Sequence, residues 1–294
     1  MHFNDIIKKD FKDVLGQEDV KRQLKSALIS ERNIILVGAP GIGKTTLAKN
    51  VAHLIGDKAP FVRVQGSPDL TAEDLIGDID PIKALKFGPT SKEAFSPGKI
   101  FQANKGILFF DEINRCSEKL QNSLLQALEE KRVTVGSYKV DLDANFTFIG
   151  TMNPEDTSTE TLSDVFLDRF DLIYVHYPES LEIEKTIVET SGHNKIDFPE
   201  NLLDMYLSFI RDLRADDNVE KKPSVRASIG IYERAQTNAM VNERNKVSLR
   251  DIQEVLVSVL SHRMRLKPSV KYLKTAKNYI KDEFKKHLEK GGYL

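Results

Sequence analysis

The chain has 294 residues, with 43 Lys plus Arg against 44 Asp plus Glu and a formal net charge of −1. At 40% hydrophobic and 30% charged residues it can bury a core and is not disordered by composition; its length suits two modest domains. The balanced charge gives no global argument for nucleic acid, and one cysteine, Cys116, excludes an intrachain disulfide or a Cys-based zinc site. The first residues, MHFNDIIKKDFKDV, are too charged for a secretory signal. No apolar run approaches the roughly 20 residues of a transmembrane segment, so a cytoplasmic protein is expected.

In chain order, the apolar run Asn33 to Val37 ends at Gly38 and predicts a buried parallel strand. Thr45 to Leu54 predicts a helix with Leu47, Val51 and Leu54 on one side. Further strands are predicted over 60–65, 106–113, 146–153 and 172–177. Strands alternating with helices predict an α/β fold: a parallel sheet of about five strands flanked by helices. Two intervals interrupt the alternation. Residues 78–99 carry Pro81, Gly88, Pro89, Pro97 and Gly98 and read as a hairpin-bearing insertion. Residues 132–142 alternate apolar and polar around Gly136-Ser137 and predict a β-hairpin, after a helix starting near Ser117.

Beyond Pro178 the spacing turns helical, near 180–191, 200–213, 224–241, 248–264 and 270–290. Ser248 with Asp251 resembles a capping box. The expectation is an α/β core over 1–178 and an all-α domain over 179–294. On the last helix Tyr272, Ala276, Tyr279, Ile280 and Phe284 are expected to face inward, with solvated lysines outside.

The stretch Gly38-Ala39-Pro40-Gly41-Ile42-Gly43-Lys44-Thr45 lies between the first strand and the helix. A loop of this form points backbone N–H groups inward around a phosphate, and the helix start adds positive partial charge. Gly38 and Gly43 allow backbone angles that a side chain would penalise. Lys44 would reach the β- and γ-phosphates, and Thr45 would place a hydroxyl on Mg²⁺. Asp111 and Glu112 follow four apolar residues at the C-terminal end of a predicted strand, the end that faces ligands in such sheets. Asp111 can hold Mg²⁺ through water, and Glu112 can deprotonate the attacking water.

Asn153 ends the fourth predicted strand, where an amide could position that water; Asn-Pro is also an everyday turn dipeptide. Arg169 precedes the fifth strand and suits an arginine finger. A surface Arg paired with Asp168 or Asp171 is the plainer alternative. Arg226 lies in the first turn of a predicted helix, where it could contact the γ-phosphate or be a solvated helix-start residue.

Together these residues resemble the AAA+ ATPases, and within them the MoxR family; the magnesium-chelatase ATPase subunit is similar. VLGQEDVK resembles the segment lining the adenine pocket, GAPGIGKT resembles Walker A and ILFFDEINR Walker B. FIGTMNPED resembles sensor 1, FLDRFDL the finger segment and PSVRASI sensor 2. The resemblance implies ATP and Mg²⁺ as cofactors. It implies nucleotide contacts from Gln17, Gly38, Ala39, Pro40, Gly41, Ile42, Gly43, Lys44, Thr45 and Thr46, with Thr45 and Asp111 at the metal. Catalytic roles fall to Glu112, Lys44, Asn153, Arg169 and Arg226. Residues 66–101 resemble the helix-2 insert of MoxR proteins and chelatase subunits, 132–142 the pre-sensor-1 hairpin and 179–294 the lid.

The family implies an ATP-hydrolysing, chaperone-like remodelling motor: a homo-oligomeric, hexameric ring acting with a separate von Willebrand factor A-domain protein. The alternatives are a chelatase-type subunit and a nucleic-acid-dependent motor of helicase type. The last draws some support from nine Lys/Arg against three Asp/Glu over 265–290. A non-hydrolysing nucleotide switch is a further alternative, against which Glu112 argues.

Overall fold

The computed structural model describes residues 3–56, 59–135, 140–154 and 162–293. The chain divides into two compact units: Met1–Ala39 with Gly43–Val175, and Pro40–Ile42 with His176–Leu294.

The first unit opens with helices α1 (Phe3–Lys8) and α2 (Glu18–Ile29), then strand β1 (Asn33–Val37), α3 (Lys44–Ile55) and β2 (Phe61–Gln65). An insertion follows: α4 (Ala72–Ile76), β3 (Gly77–Ile79), α5 (Pro81–Phe87), a 3₁₀ turn, β4 (Phe95–Pro97) and α6 (Lys99–Gln102). Next come β5 (Ile107–Asp111), a 3₁₀ turn over Ile113–Arg115, α7 (Glu118–Glu130), β6 (Arg132–Val135), β7 (Val140–Asp143) and β8 (Thr147–Met152). Helix α8 (Asp164–Leu167) and β9 (Phe170–Tyr174) complete it.

Five strands form one parallel sheet in the order β2-β5-β8-β1-β9. Ile34, Ile35, Leu36 and Val37 are all at most 2% exposed. Successive residues of a strand point to opposite faces, so this strand is covered on both. Phe110, Phe148, Phe170 and Phe166 make a continuous aromatic chain, with successive ring centroids 5.9, 5.1 and 4.8 Å apart. Leu47, Val51 and Leu54 of α3 are buried, as their spacing predicts.

The fifth strand begins at Phe170, two residues before the predicted start and ending short of His176. Phe170 belongs to the aromatic core, and Asp171 turns outward to pair with Arg32 at 3.0 Å. In the insertion, β3 and β4 pair antiparallel, but α5 and a 3₁₀ turn separate them. Asp80 caps α5 by accepting from the N–H groups of Ile82 and Lys83. The β6–β7 ladder is antiparallel from Arg132↔Asp143 to Val135↔Val140. The predicted turn, Gly136-Ser137, lies outside the described residues.

The second unit holds α9 (Leu181–Ser191), α10 (Glu200–Ala215), β10 (Val219–Lys221), α11 (Val225–Val241), α12 (Leu249–Leu260), β11 (Arg265–Leu266), α13 (Pro268–Lys271) and α14 (Ala276–Gly291). It is helical and adds a two-stranded antiparallel ribbon, β10–β11, too short and charged to show as an alternating run. The capping box is present: Ser248 and Asp251 bond reciprocally at the start of α12. Tyr279, Ile280, Phe284 and Leu288 of α14 enter a core with Phe209, Ile231 and Leu256. Tyr272, expected to face inward, is 91% exposed. It follows α13, and Thr275 caps a new helix at Ala276, so the periodicity read across 270–290 does not extend to it.

Candidate active site

Because all five strands run parallel, the C-terminal ends of β1, β5 and β8 share one edge of the sheet. The loop after β1 begins by donating the Gly38 N–H to the Met152 carbonyl of β8 at 3.1 Å. Gly41 (φ 77°) and Gly43 (φ 98°) take left-handed backbone angles, which exclude most side chains. Gly43 is the N-cap of α3, so the unpaired N–H groups of the first turn face the loop. Thr45 and Thr46 lie in that turn. The Lys44 ammonium donates to the carbonyls of Gly38 and Ala39 at 2.6 and 2.9 Å, which holds it over the loop.

Asp111 closes β5, two strands from β1. Its Oδ1 accepts from the Thr151 hydroxyl at 2.7 Å and its Oδ2 from Arg63 Nη2 at 2.6 Å. Glu112 sits in the left-handed region at φ 59°, a bend that turns the chain out of the strand. Its N–H donates to the Thr151 oxygen at 2.8 Å, so one buried hydroxyl ties together both acidic residues. Glu112 Oε2 accepts from Gln65 Nε2 at 3.0 Å and lies 3.3 Å from Arg115 Nε. Asn153 follows β8 directly, and its carbonyl accepts from Asn114 Nδ2 at 3.2 Å.

Lys44, Thr45, Asp111, Glu112 and Asn153 therefore gather at one edge, as the strand-end argument requires. Thr151, Arg63, Gln65 and Asn114 were not singled out from the sequence. Arg63 and Gln65 alternate on β2, a neighbour of β5; that period-2 polar pair beside an acidic strand end was the available signal. Thr151 sits inside the apolar run FTFIGTMN and carries no signal of its own.

Arg169 stands apart. It precedes β9, so it lies toward the opposite edge of the sheet. A five-residue strand separates those edges by about 16 Å. Its Nε donates to Glu129 of α7 at 2.5 Å, and Nη1 to the Val165 carbonyl. The partner is thus Glu129, not Asp168 or Asp171. Gln17 is the left-handed N-cap of α2, and its carbonyl accepts from the Lys21 N–H at 2.9 Å. In the second unit Arg226 occupies the first turn of α11, with its side chain exposed.

The oxygen donors Asp111 and Thr45, one carboxylate and one hydroxyl, fit a cation that takes its remaining ligands from phosphate and water, as Mg²⁺ does. Among the described residues no group of three or more His, Cys, Asp or Glu forms a closed cage. No helix of the described residues is long and apolar enough to cross a membrane.

A glycine-rich strand–helix loop beside an acidic strand end, in a parallel sheet with a helical C-terminal unit, defines a P-loop ATPase fold of the AAA+ class. Residues 33–170 match the AAA domain of the dynein-related subfamily, and residues 211–281 match an AAA lid domain. The chain is 30% identical over 285 residues to the uncharacterized protein YeaC of Bacillus subtilis, covering 88% of this chain and 85% of that one. It is 28% identical over 285 residues to the chaperone MoxR1 of Mycobacterium tuberculosis, covering 86% and 73%. A magnesium-chelatase subunit ChlI homolog of Methanocaldococcus jannaschii is 26% identical over 319 residues, covering 88% and 86%. The chain belongs to the MoxR family of AAA+ ATPases.

Proposed function

We propose that this chain hydrolyses ATP to ADP and phosphate at the sheet edge and uses the cycle, as a ring of identical subunits, to remodel a partner protein or metal-cofactor assembly. The observation that carries the reading is the Asp111–Thr151–Glu112 constellation, on the same edge as the glycine loop and Lys44. A nucleotide-binding module without hydrolysis could use Asp111 for Mg²⁺ but has no use for a second carboxylate, that of Glu112, beside it.

The loop N–H groups and the start of α3 bind the phosphates, with Gln17 and its neighbours toward the adenine. Lys44 turns from the Gly38 and Ala39 carbonyls to phosphate oxygens. Asp111 and Thr45 would hold Mg²⁺, which neutralises phosphate charge when bound. Gln65 and Arg115 meet the Glu112 carboxylate at Oε2, and Oε1 takes the proton of the attacking water. Asn153 positions that water.

Arg169 supports a shared site. It lies away from its own subunit's phosphate edge, so its guanidinium serves a neighbour after exchanging Glu129 for phosphate. On the family resemblance Arg226 senses the nucleotide for the helical unit. A ring, which we take to be hexameric, then makes turnover depend on assembly. A separate von Willebrand factor A-domain protein is the partner that the family suggests. A chelatase-type subunit is the second reading, favoured by the similarity to the ChlI homolog along 88% of the chain.

The test mixes two inactive chains. Arg169→Ala should bind ATP yet lose turnover, and adding Glu112→Gln chains should restore part of it, since mixed interfaces can pair an intact Glu112 with an intact Arg169. Absence of any restoration, with mixed rings demonstrated, contradicts a shared site.

A further inference from the structure

The second unit buries an ion pair. Glu184 in the first turn of α9 is 0% exposed, and Arg214 in the last turn of α10 is 8% exposed. Both guanidinium Nη atoms meet the two carboxylate oxygens at 2.7 Å. The third guanidinium nitrogen, Arg214 Nε, donates to the Pro223 carbonyl at 2.8 Å. The buried Ser228 hydroxyl donates to Glu184 Oε1 at 2.7 Å. Tyr177 covers the guanidinium, ring centroid to Cζ 4.7 Å, and Lys222 donates to the Arg214 carbonyl.

A buried pair of this kind gives little net stability, because desolvation offsets much of the attraction; apolar replacement is often neutral or better. What it supplies is direction. Its anchor points on the chain are Pro223 and Ser228, which bracket Arg226 three residues before and two after. Helix α11 has no side-chain hydrogen bond at its N-cap Ser224. Its start is held instead by the fork, which also grips Tyr177. Neighbouring Arg211 holds the carbonyls of Pro178 and Glu179 at 2.9 and 3.1 Å and lies 3.7 Å from Glu184. The backbone around Arg226 is fixed on both sides while its side chain stays exposed.

We propose that Glu184 and Arg214 are positioning residues for Arg226: their fork, with Ser228, sets where the first turn of α11 presents that guanidinium relative to the segment 177–179 that enters the unit. This rests on the sensing role proposed for Arg226, and the experiment separates the two.

Steady-state phosphate release by the full-length protein, read as kcat and KM, compares wild type, Arg226→Ala, and the paired replacement Glu184→Leu with Arg214→Met, which removes both charges together. Thermal melting monitors the fold. The expected result is a paired variant that melts close to wild type yet loses at least fivefold in kcat, with KM within about twofold. Adding Arg226→Ala to it should lower kcat no further, because the two changes act through one group. A folded paired variant that keeps kcat within twofold, while Arg226→Ala loses at least fivefold, overturns the proposal and leaves the role of Arg226 standing. An Arg226→Ala chain of undiminished kcat removes the sensing role and this proposal with it. If the paired variant does not fold, Ser228→Ala decides, since both charges remain paired: a loss of about threefold in kcat with unchanged melting supports positioning, and an unchanged kcat overturns it.

Discussion

The two units bury different chemistry. In the α/β unit the central strands are apolar almost to their ends, where Asp111, Thr151 and Asn153 stand, and the buried polar groups Lys21, Asn50 and Gln121 lie on the covering helices. In the helical unit carboxylates enter the interior with their cations: Glu184 and Asp251 are 0% exposed and pair with Arg214 and Arg244. A sheet edge supplies a ligand site by topology, since parallel strands deliver their ends to one place. Helices have no such edge, and here directed ion pairs fix how they meet. The contrast implies that the first unit should respond chiefly to lost apolar volume, and that the second, whose apolar core is as large, should respond to lost charge as well.

The largest expected effect follows from truncating the aromatic chain. Phe148→Ala removes a fully buried ring between Phe110 and Phe170 and should destabilise by about 3–5 kcal/mol, read from denaturant midpoints. A loss below about 1 kcal/mol would mean that the sheet core is not packed as described.

In the helical unit, burial alone would raise the Asp251 carboxyl. Bonds from Arg244, Ser248 and Asn238 outweigh it and hold the group below its ordinary value of 3.8. A depressed folded value contributes stability above the unfolded one and loses it as pH falls. Asp251→Asn should therefore cost about 2 kcal/mol near pH 7, and its gap to wild type should narrow as pH drops below about 4. A gap constant from pH 7 to pH 2 would contradict that charge-based account.

Smaller in stability, but sharper for the site, is Thr151→Val. It keeps shape and removes the hydroxyl shared by Asp111 and Glu112. It should cost about 1 kcal/mol and lower turnover about tenfold, with ATP affinity little changed. Turnover equal to wild type would show that this hydroxyl does not hold the acidic pair for catalysis.

The same contrast explains what could be read from the sequence. Four of the five sheet strands, β1, β2, β5 and β8, lie where they are predicted: β1, β5 and β8 are buried on both faces and written as continuous hydrophobic segments, whereas the edge strand β2 alternates apolar and polar residues. The fifth slipped because Asp171 interrupts its run and Val175-His176-Tyr177 prolongs it. The positions of Asp111, Glu112 and Asn153 at strand ends were legible, as was that of Lys44 at the start of α3 through its glycine-rich loop. Arg63, Gln65 and Thr151 were not, since their roles depend on strand neighbours that topology alone reveals. Glu129 is 40 residues from Arg169, and no local spacing announces that pair. Helices α4 and α5 are too short, and their surroundings too rich in Gly and Pro, for periodicity to show. The fork of Glu184, Arg214 and Ser228 draws on three separate helices.

The most direct test of the central claim measures phosphate release and ATP binding for wild type and Glu112→Gln in Mg²⁺. The account predicts release from wild type, a fall of at least about 100-fold in the variant, and ATP affinity unchanged within a few fold. A variant that binds ATP and releases phosphate at the wild-type rate would contradict it.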